Sequence, residues 1–202
     1  MQYRGMYFTH QDPVIHRETV GVFAGLIKLA SVFGGKVNIG RARGFIPKGS
    51  SRQMTEKRFI ETMREICDIA GQYNVEMILE PVNRYEINFI NSVDEGAAIL
   101  EQVGRTNCGL QPDVFHMNIE DDDIGKSLMR NKKWIRYVHF ADSNRYAPGM
   151  GHIDFQGVFD ALRMADYDGW VSVEILPGED PDKMAKTSIQ YLKPLIQQYN
   201  KS

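Results

Sequence analysis

Two spacings of apolar residues alternate along the chain. Residues 20–33 and 55–73 carry apolar side chains at intervals of three and four positions, the period of an amphipathic helix. Short apolar runs with the length of buried strands lie at 36–39, 75–79, 108–111, 134–140 and 169–175, and a sixth candidate strand lies at 6–8. A strand followed by a helix at intervals of roughly 30 residues predicts right-handed βαβ units and a parallel sheet.

Residues that start or stop helices support these bounds. Gly34 follows the first helical segment, as is common at a helix C-terminus. Ser92 and Glu95 have the spacing of a capping box, which predicts a helix after Ser92. Asp154 is expected to cap a further helix, and Pro181 to lie in the first turn of the last one.

A side chain able to bind a metal or move a proton lies at or just beyond the C-terminal end of four of the predicted strands. These residues are Glu80, Asp113, His139 and Glu174. In barrels built from βα units, the active site lies at the C-terminal ends of the strands. One carboxylate there is explained by capping of the next helix. Four such groups on four strands are expected to converge, because parallel strands are covered on both faces.

Three carboxylates in one dry site predict a bound cation, since like charges would otherwise force protonation. Three oxygen donors and one imidazole suit Mn²⁺, Mg²⁺ or Co²⁺ better than a structural zinc. We therefore expect one divalent metal ion, with Mn²⁺ the first candidate. The two cysteines, Cys67 and Cys108, lie away from these positions, and Cys67 is expected to be a buried thiol on a helix face.

Composition and charge mainly exclude other classes of protein. The net charge of −2 and pI near 6.2 provide no basic footprint for nucleic acid. The longest apolar run, at 20–30, is interrupted by Lys28 and is too short to cross a bilayer. The first residues do not resemble a signal peptide, so a cytoplasmic location without a membrane partner is expected. No linker or shift in composition divides the chain, which predicts a single α/β domain over residues 1–202.

Four motifs stand out along the chain: ILEPVNRYE at 78–86, DVFHMNIE at 113–120, HFADSNR at 139–145 and PGMGHIDF at 148–155. Together they resemble the D-tagatose 3-epimerase family. That family belongs to the xylose-isomerase-like, or sugar phosphate isomerase/epimerase, TIM barrels. Four motifs in the family's order and spacing make the resemblance more specific than any single motif would.

The resemblance implies a reaction and a role for each site residue. The four strand-end residues would bind the metal ion, and Glu80 and Glu174 would also form the acid–base pair. His116 and Arg145 would contact substrate oxygens, and Glu86 would hydrogen-bond the substrate near C1. The implied activity is metal-dependent epimerisation of a ketose at C3 through an enediolate, with a small sugar as the substrate.

The same resemblance implies a TIM-type (β/α) barrel that lacks its first two to three βα units. A barrel of this type has eight strands and about 250 residues. The first recognisable unit in this chain resembles the family's fourth strand. Strand edges left open would favour pairing with another copy, which predicts a homo-oligomer.

Three other interpretations remain open. Another sugar isomerase of the superfamily, such as a hydroxypyruvate isomerase, a ketose-phosphate epimerase or an inosose-type dehydratase, would use a similar site. A phosphate group would need an anion pocket, for which Arg41 and Arg43 are candidates. An apurinic endonuclease of the same barrel would need a basic face and more than the five histidines present. A non-catalytic incomplete barrel is favoured only by the missing strands.

Overall fold

The computed structural model describes residues 5–199, in which helices and strands alternate. The helices are α1 (Pro13–Val32), α2 (Arg52–Gln72), α3 (Val93–Val103), α4 (Val114–Glu120), α5 (Ile124–Arg130), α6 (Phe155–Met164) and α7 (Pro181–Tyr199). The strands are β1 (Lys36–Asn38), β2 (Glu76–Leu79), β3 (Cys108–Leu110), β4 (Tyr137–Phe140) and β5 (Trp170–Val173). Short 3₁₀ turns cover Gly40–Arg43 and Lys132–Trp134.

The strands run parallel and follow one another in chain order. β1 pairs with β2, β2 with β3, and β4 with β5. Two single bridges, Leu110 to Ile135 and Asp113 to His139, connect the β3 segment to the β4 segment. Each strand therefore neighbours the one before it, which is the topology of a βα barrel. The predicted parallel α/β architecture is confirmed.

Apolar side chains of helices and strands form one core. The ring of Phe8 packs edge-on against Phe23 at 4.7 Å between centroids, on the α1 side of the molecule. On the other side, Phe140 of β4 contacts Phe155 of α6 at 5.4 Å. Cys67 is buried between these regions of core, as its position on an apolar helix face predicted.

Side-chain caps hold the helices where the sequence placed them. Ser92 Oγ accepts the N–H of Glu95 at 3.2 Å, and Asp154 Oδ1 accepts the N–H of Gly157 at 3.1 Å. The second half of the predicted capping box differs by one residue. Glu95 Oε2 accepts the N–H of Asn91 at 2.7 Å, one position before the cap.

The structure corrects several predicted elements and bounds, including the first candidate strand, the start of α1 and the strand at 134–140. Residues 6–8 form no strand, because Phe8 makes one backbone bond to Ala42 and the chain then turns into α1. That helix begins at Pro13 under an Asp12 cap, well before residue 20, and its first turns lack the apolar spacing that would have revealed them. The strand predicted at 134–140 is shortened to β4, since Trp134 belongs to a 3₁₀ turn.

The sheet has two open edges within residues 5–199, β1 and β5, which do not pair with each other. Trp170 on β5 is 74% exposed, and Phe33 at the end of α1 is 78% exposed. A cavity of about 510 Å³ lies along this opening, lined by Lys36 and Trp170 and reaching His139. The described residues thus supply five strands of a barrel. No described helix is both long and apolar enough to cross a membrane.

Candidate metal centre

Strand pairing brings the four predicted ligands to one end of the sheet. His139 donates its backbone N–H to the carbonyl of Pro112 at 2.8 Å, and Glu174 donates its own to the carbonyl of Phe140 at 3.0 Å. These bonds continue the pattern of backbone hydrogen bonds between neighbouring parallel segments up to the strand ends. The side chains at those ends therefore lie side by side. One ligand atom from each predicted residue lies within 4.8 Å of every other, the residues being Glu80, Asp113, His139 and Glu174.

Two carboxylate oxygens in this cluster are arranged as a cation would require. Glu80 Oε1 and Asp113 Oδ2 are buried and have no hydrogen-bond partner within the described part of the chain. The other oxygen of each group is held by the protein: Asn38 Nδ2 donates to Glu80 at 3.2 Å, and the N–H of Phe115 donates to Asp113 at 2.9 Å. Buried acceptors without a partner are costly. The residues therefore fit a bound divalent ion.

The electrostatics of the cluster lead to the same conclusion. Burial, and then the charge of Glu80, raise the pKa of Asp113 to about 8. Burial alone would lower the pKa of His139, but its contacts with Glu174 at 3.5 Å and Glu80 at 3.6 Å outweigh it and raise that pKa to about 10. The His139 contact holds the pKa of Glu174 below its usual value. Without a cation, protons have to compensate the clustered carboxylates.

Asn38 and Gln111 support the ligands and were missed in the sequence. The Gln111 side-chain amide is buried and lies 2.9 Å from Nε2 and 3.0 Å from Nδ1 of His139. Each residue is a polar group at the end of a predicted strand, the same signal that identified the ligands. Their amides hold ligand side chains in place, as supporting groups around metal sites commonly do.

The three predicted substrate-contacting residues meet beside the cluster. Arg145 Nη1 lies 3.2 Å from His116 Nε2 and 3.5 Å from Glu86 Oε1, and its Nη2 donates to Glu174 at 2.9 Å. The guanidinium also lies over the ring of Phe115, 4.8 Å from its centroid. Burial, reinforced by the charge of Arg145, lowers the pKa of His116 to about 3, so this imidazole is neutral.

Arg145 is presented to the site by a loop built around Asp142. This buried carboxylate accepts the N–H groups of Gly149 at 2.8 Å and Ile153 at 3.1 Å. Gly151 packs so closely against it that a Cβ would overlap the carboxylate. Arg145 itself adopts a left-handed backbone conformation, with φ of 60°. The two motifs at 139–145 and 148–155 therefore form one folded unit that positions Arg145.

Arg43, which the sequence suggested only as a candidate for an anion pocket, lies fully buried below the centre. It donates to the backbone carbonyls of Glu80 at 2.6 Å, Phe89 at 2.7 Å, Ile90 at 2.9 Å and Gly40 at 3.0 Å. Desolvation lowers its pKa to about 9. The prediction that Arg43 belongs to an anion pocket is wrong, because its donors are committed to backbone oxygens.

Parallel βα units with a cluster of candidate metal ligands at the C-terminal strand ends define the class of TIM-barrel proteins. The xylose isomerase-like TIM barrel family matches residues 2–195, and the chain belongs to this family. The fold and the resemblance inferred from the four motifs are confirmed.

The relatives include several sugar epimerases. L-ribulose 3-epimerase of Methylomonas sp. (strain DH-1) is 36% identical over 147 residues, covering 72% of this chain and 51% of the relative. 3-Dehydro-D-guloside 4-epimerase of Escherichia coli (strain K12) is 31% identical over 138 residues, covering 68% and 53%. A crystal structure of D-allulose 3-epimerase from Methylomonas sp. in complex with D-allulose has a TM-score of 0.84 at 27% identity, covering 94% and 73%. The chain spans about half the length of the curated relatives.

Proposed function

We propose that this chain carries the centre of a metal-dependent epimerase that inverts C3 of a ketose through an enediolate. The observation that carries the proposal is the pair of carboxylates on either side of His139. Glu80 follows β2 and Glu174 follows β5, three strands further round the barrel, and each lies within 3.6 Å of the same imidazole nitrogen. Two carboxylates so placed can address opposite faces of one planar intermediate.

The proposed cofactor is one divalent ion, Mn²⁺ in the first instance and Mg²⁺ or Co²⁺ otherwise. The residues that would hold it are Glu80, Asp113, His139 and Glu174. When bound, such an ion supplies a Lewis acid that stabilises negative charge on neighbouring substrate oxygens. The donor set of three carboxylate oxygens and one imidazole suits these ions.

The protein's own part in the reaction is to move a proton between two faces of the substrate. One carboxylate, Glu80 or Glu174 according to the direction of reaction, removes the proton from C3. The other delivers a proton to the opposite face, which inverts the centre. In the metal-free site, contact with His139 lowers the pKa of Glu174, and in the loaded site a bound cation would favour the same ionised form.

Arg145, His116 and Glu86 would position the sugar. Arg145 and Glu86 offer complementary charge, and they lie 3.5 Å apart beside the cluster. His116 is neutral, so it can exchange hydrogen bonds with a hydroxyl group without adding charge to the site. Groups held in this way restrict a bound sugar to orientations in which C3 faces a carboxylate.

The relatives also leave a second candidate function open. The E. coli relative is named a 4-epimerase, which shows that sugar epimerases of different positional specificity resemble this chain. Another isomerase of the superfamily would use the same ligands, and a non-catalytic barrel would bind the metal without turnover.

The proposal also includes that this chain forms a homo-oligomer and that it is located in the cytoplasm.

Solvent exchange tests the mechanism. The full chain with Mn²⁺ is incubated in D₂O with a panel of ketoses, and deuterium at C3 and formation of the C3 epimer are both measured by NMR. Glu174→Gln keeps an oxygen donor but removes the proton acceptor, so epimerisation should fall by about 10²–10⁴-fold while the ion is still bound. Glu101→Gln, on exposed α3 surface, is the control and should have no effect. Unchanged epimerisation in Glu174→Gln would exclude the two-carboxylate mechanism.

A further inference from the structure

A cavity of about 700 Å³ opens next to the proposed sugar site. It lies between three segments of chain: the residues before α1, the loop after β1 and the loop after β2. The lining residues used below are Tyr7, Arg41, Phe45, Arg84, Tyr85 and Asn88. Its volume falls in the range of about 300–1,000 Å³ typical of pockets that enclose organic ligands. This is more space than is needed by the part of one open-chain ketose that extends beyond the metal cluster.

Glu86 lines this cavity and also contacts residues beside the metal centre. Its Oε1 accepts from Asn83 Nδ2 at 3.2 Å and lies 3.5 Å from Arg145, on the side of the site. Its Oε2 lies 3.5 Å from Arg41 Nη1, on the side of the cavity. A substrate that contacts Glu86 therefore reaches a residue that also lines the cavity.

The cavity walls are held in place by contacts between the segments. Asn88 accepts the N–H of Ile46 at 2.9 Å and donates to its carbonyl at 3.1 Å, which ties the loop after β2 to the loop after β1. The ring of Tyr7 packs on Phe45, 4.9 Å between centroids. Gly44, with φ of 92°, approaches Tyr7 so closely that a Cβ would overlap its ring.

The arginines that line the cavity already have carboxylate partners. Arg41 pairs with Glu86, and Arg84 binds Glu120 through Nε at 2.9 Å and Nη2 at 2.7 Å. A phosphate would have to compete with these carboxylates. Together with the burial of Arg43, this argues against the predicted anion pocket and for an uncharged ligand.

We propose that the cavity binds a second, neutral sugar ring, so that the preferred substrate is a ketose that carries a glycosyl group at the end contacted by Glu86. The proposal rests on the proposed epimerase function and specifies its substrate class. Phe45 is 40% exposed and Tyr85 is 82% exposed, and both line the cavity. Aromatic faces of this kind pack against the C–H groups of sugar rings, while the paired charges at the rim offer hydrogen bonds to hydroxyl groups.

A matched set of substrates tests the proposal. The full chain with Mn²⁺ is assayed for deuterium exchange at C3 of D-fructose, fructose 1-phosphate, and two glucosyl-fructoses with the second ring at opposite ends, trehalulose and isomaltulose. We expect kcat/KM for one disaccharide to exceed that for D-fructose and for the phosphate. Phe45→Ala or Tyr85→Ala should lower the disaccharide value about three- to tenfold and leave D-fructose unchanged. Tyr73→Ala, which removes an aromatic ring of similar exposure outside the cavity, is the control.

The outcomes separate this inference from the proposed function. If D-fructose exchanges at least as fast as both disaccharides, or the phosphate is preferred, the second-ring site is overturned while the epimerase function stands. If no ketose exchanges, the epimerase function fails, and calorimetric binding of the disaccharides decides about the cavity. Binding that is lost in Phe45→Ala but kept in Tyr73→Ala supports the site; absence of binding overturns it.

Discussion

Asp113 combines two roles that its position in the sequence could not separate. Its Oδ1 caps α4 by accepting the N–H of Phe115, which is the structural role expected of an acid before a helix. Its Oδ2 is buried and lacks a partner among the described residues, which is what a metal ligand would show in the absence of its ion. The cap fixes the rotamer, so the second oxygen is already oriented toward Glu80, His139 and Glu174.

The protons of the metal-free cluster lead to a pH prediction. With a pKa of about 8 for Asp113 and about 10 for His139, both are protonated at pH 7. Because a bound ion requires the deprotonated forms, its binding should release about two protons and strengthen as pH rises. Calorimetry of Mn²⁺ binding in buffers of different ionisation enthalpy measures this number. A release of close to zero protons per bound ion would contradict the assignment of Asp113 and His139 as ligands.

In the metal-free chain, the free energy of unfolding changes with pH in the opposite direction to metal affinity: it falls as pH rises. Both folded pKa values lie above the ordinary values of 3.8 for Asp and 6.5 for His. The native state therefore binds more protons than the unfolded chain, and this contribution is lost as pH rises through about 8 for Asp113 and about 10 for His139. Melting temperatures of the metal-free chain should fall between pH 6.5 and 9, and those of the Mn²⁺-loaded chain should fall less.

Among the elements, the loops after the strands decide the geometry of the site. The loop after β2 carries Glu80 and Glu86, and Arg43 from the preceding unit binds the carbonyls of Glu80, Phe89 and Ile90 near both of its ends. One buried side chain thus fixes the course of the loop. The helix caps and strands on either side are local features, whereas this contact joins residues far apart in the chain.

Replacing Arg43 should affect folding and metal binding together. In Arg43→Met the buried carbonyls lose their donor, and the free energy of unfolding should fall by about 3–5 kcal/mol. Metal affinity should fall too, because Glu80 is no longer held. Urea unfolding and Mn²⁺ titration measure the two effects. Arg41→Met, at a half-exposed ion pair two positions away, is the control and should cost no more than about 1 kcal/mol. Equal losses in both variants would show that Arg43 has no special role.

In the whole molecule, the metal centre joins four consecutive strand ends. A ligand that binds only the native state adds stability, about 2.7 kcal/mol when its concentration is a hundred times Kd. For a chain of this length, saturation with Mn²⁺ should raise the melting temperature by about 5–10 °C, and EDTA should reverse the change. A melting curve insensitive to both would show that the four residues, Glu80, Asp113, His139 and Glu174, hold no ion.

The open edges of the sheet predict self-association. Phe33 and Trp170 present large apolar side chains to solvent beside β1 and β5, each of which has one unpaired edge. Exposed edges with apolar neighbours tend to pair with another chain. Sedimentation at micromolar concentration should show oligomers, and Phe33→Asp should shift them toward monomer. Met54→Asp, at an exposed position on α2, serves as the control. A wild-type chain that stays monomeric would overturn this prediction.

The order of the βα units and the four metal-ligand candidates could be predicted from the amino-acid sequence alone. Both depend on local regularities: the period of apolar residues marks each element, and a polar residue directly after a strand must lie at its C-terminal end. Even so, the polar first turns of α1 and the short helices α4 and α5 carried too little periodic signal to be recognised.

Which polar residues meet depends on the tertiary packing. This packing buries Arg43 under backbone carbonyls instead of in an anion pocket, and it places Glu86 between the metal centre and a second cavity. These contacts join side chains from separate loops, and their partners depend on how the barrel curves. No spacing within one segment encodes that curvature, because it results from the packing of all the strands and helices together.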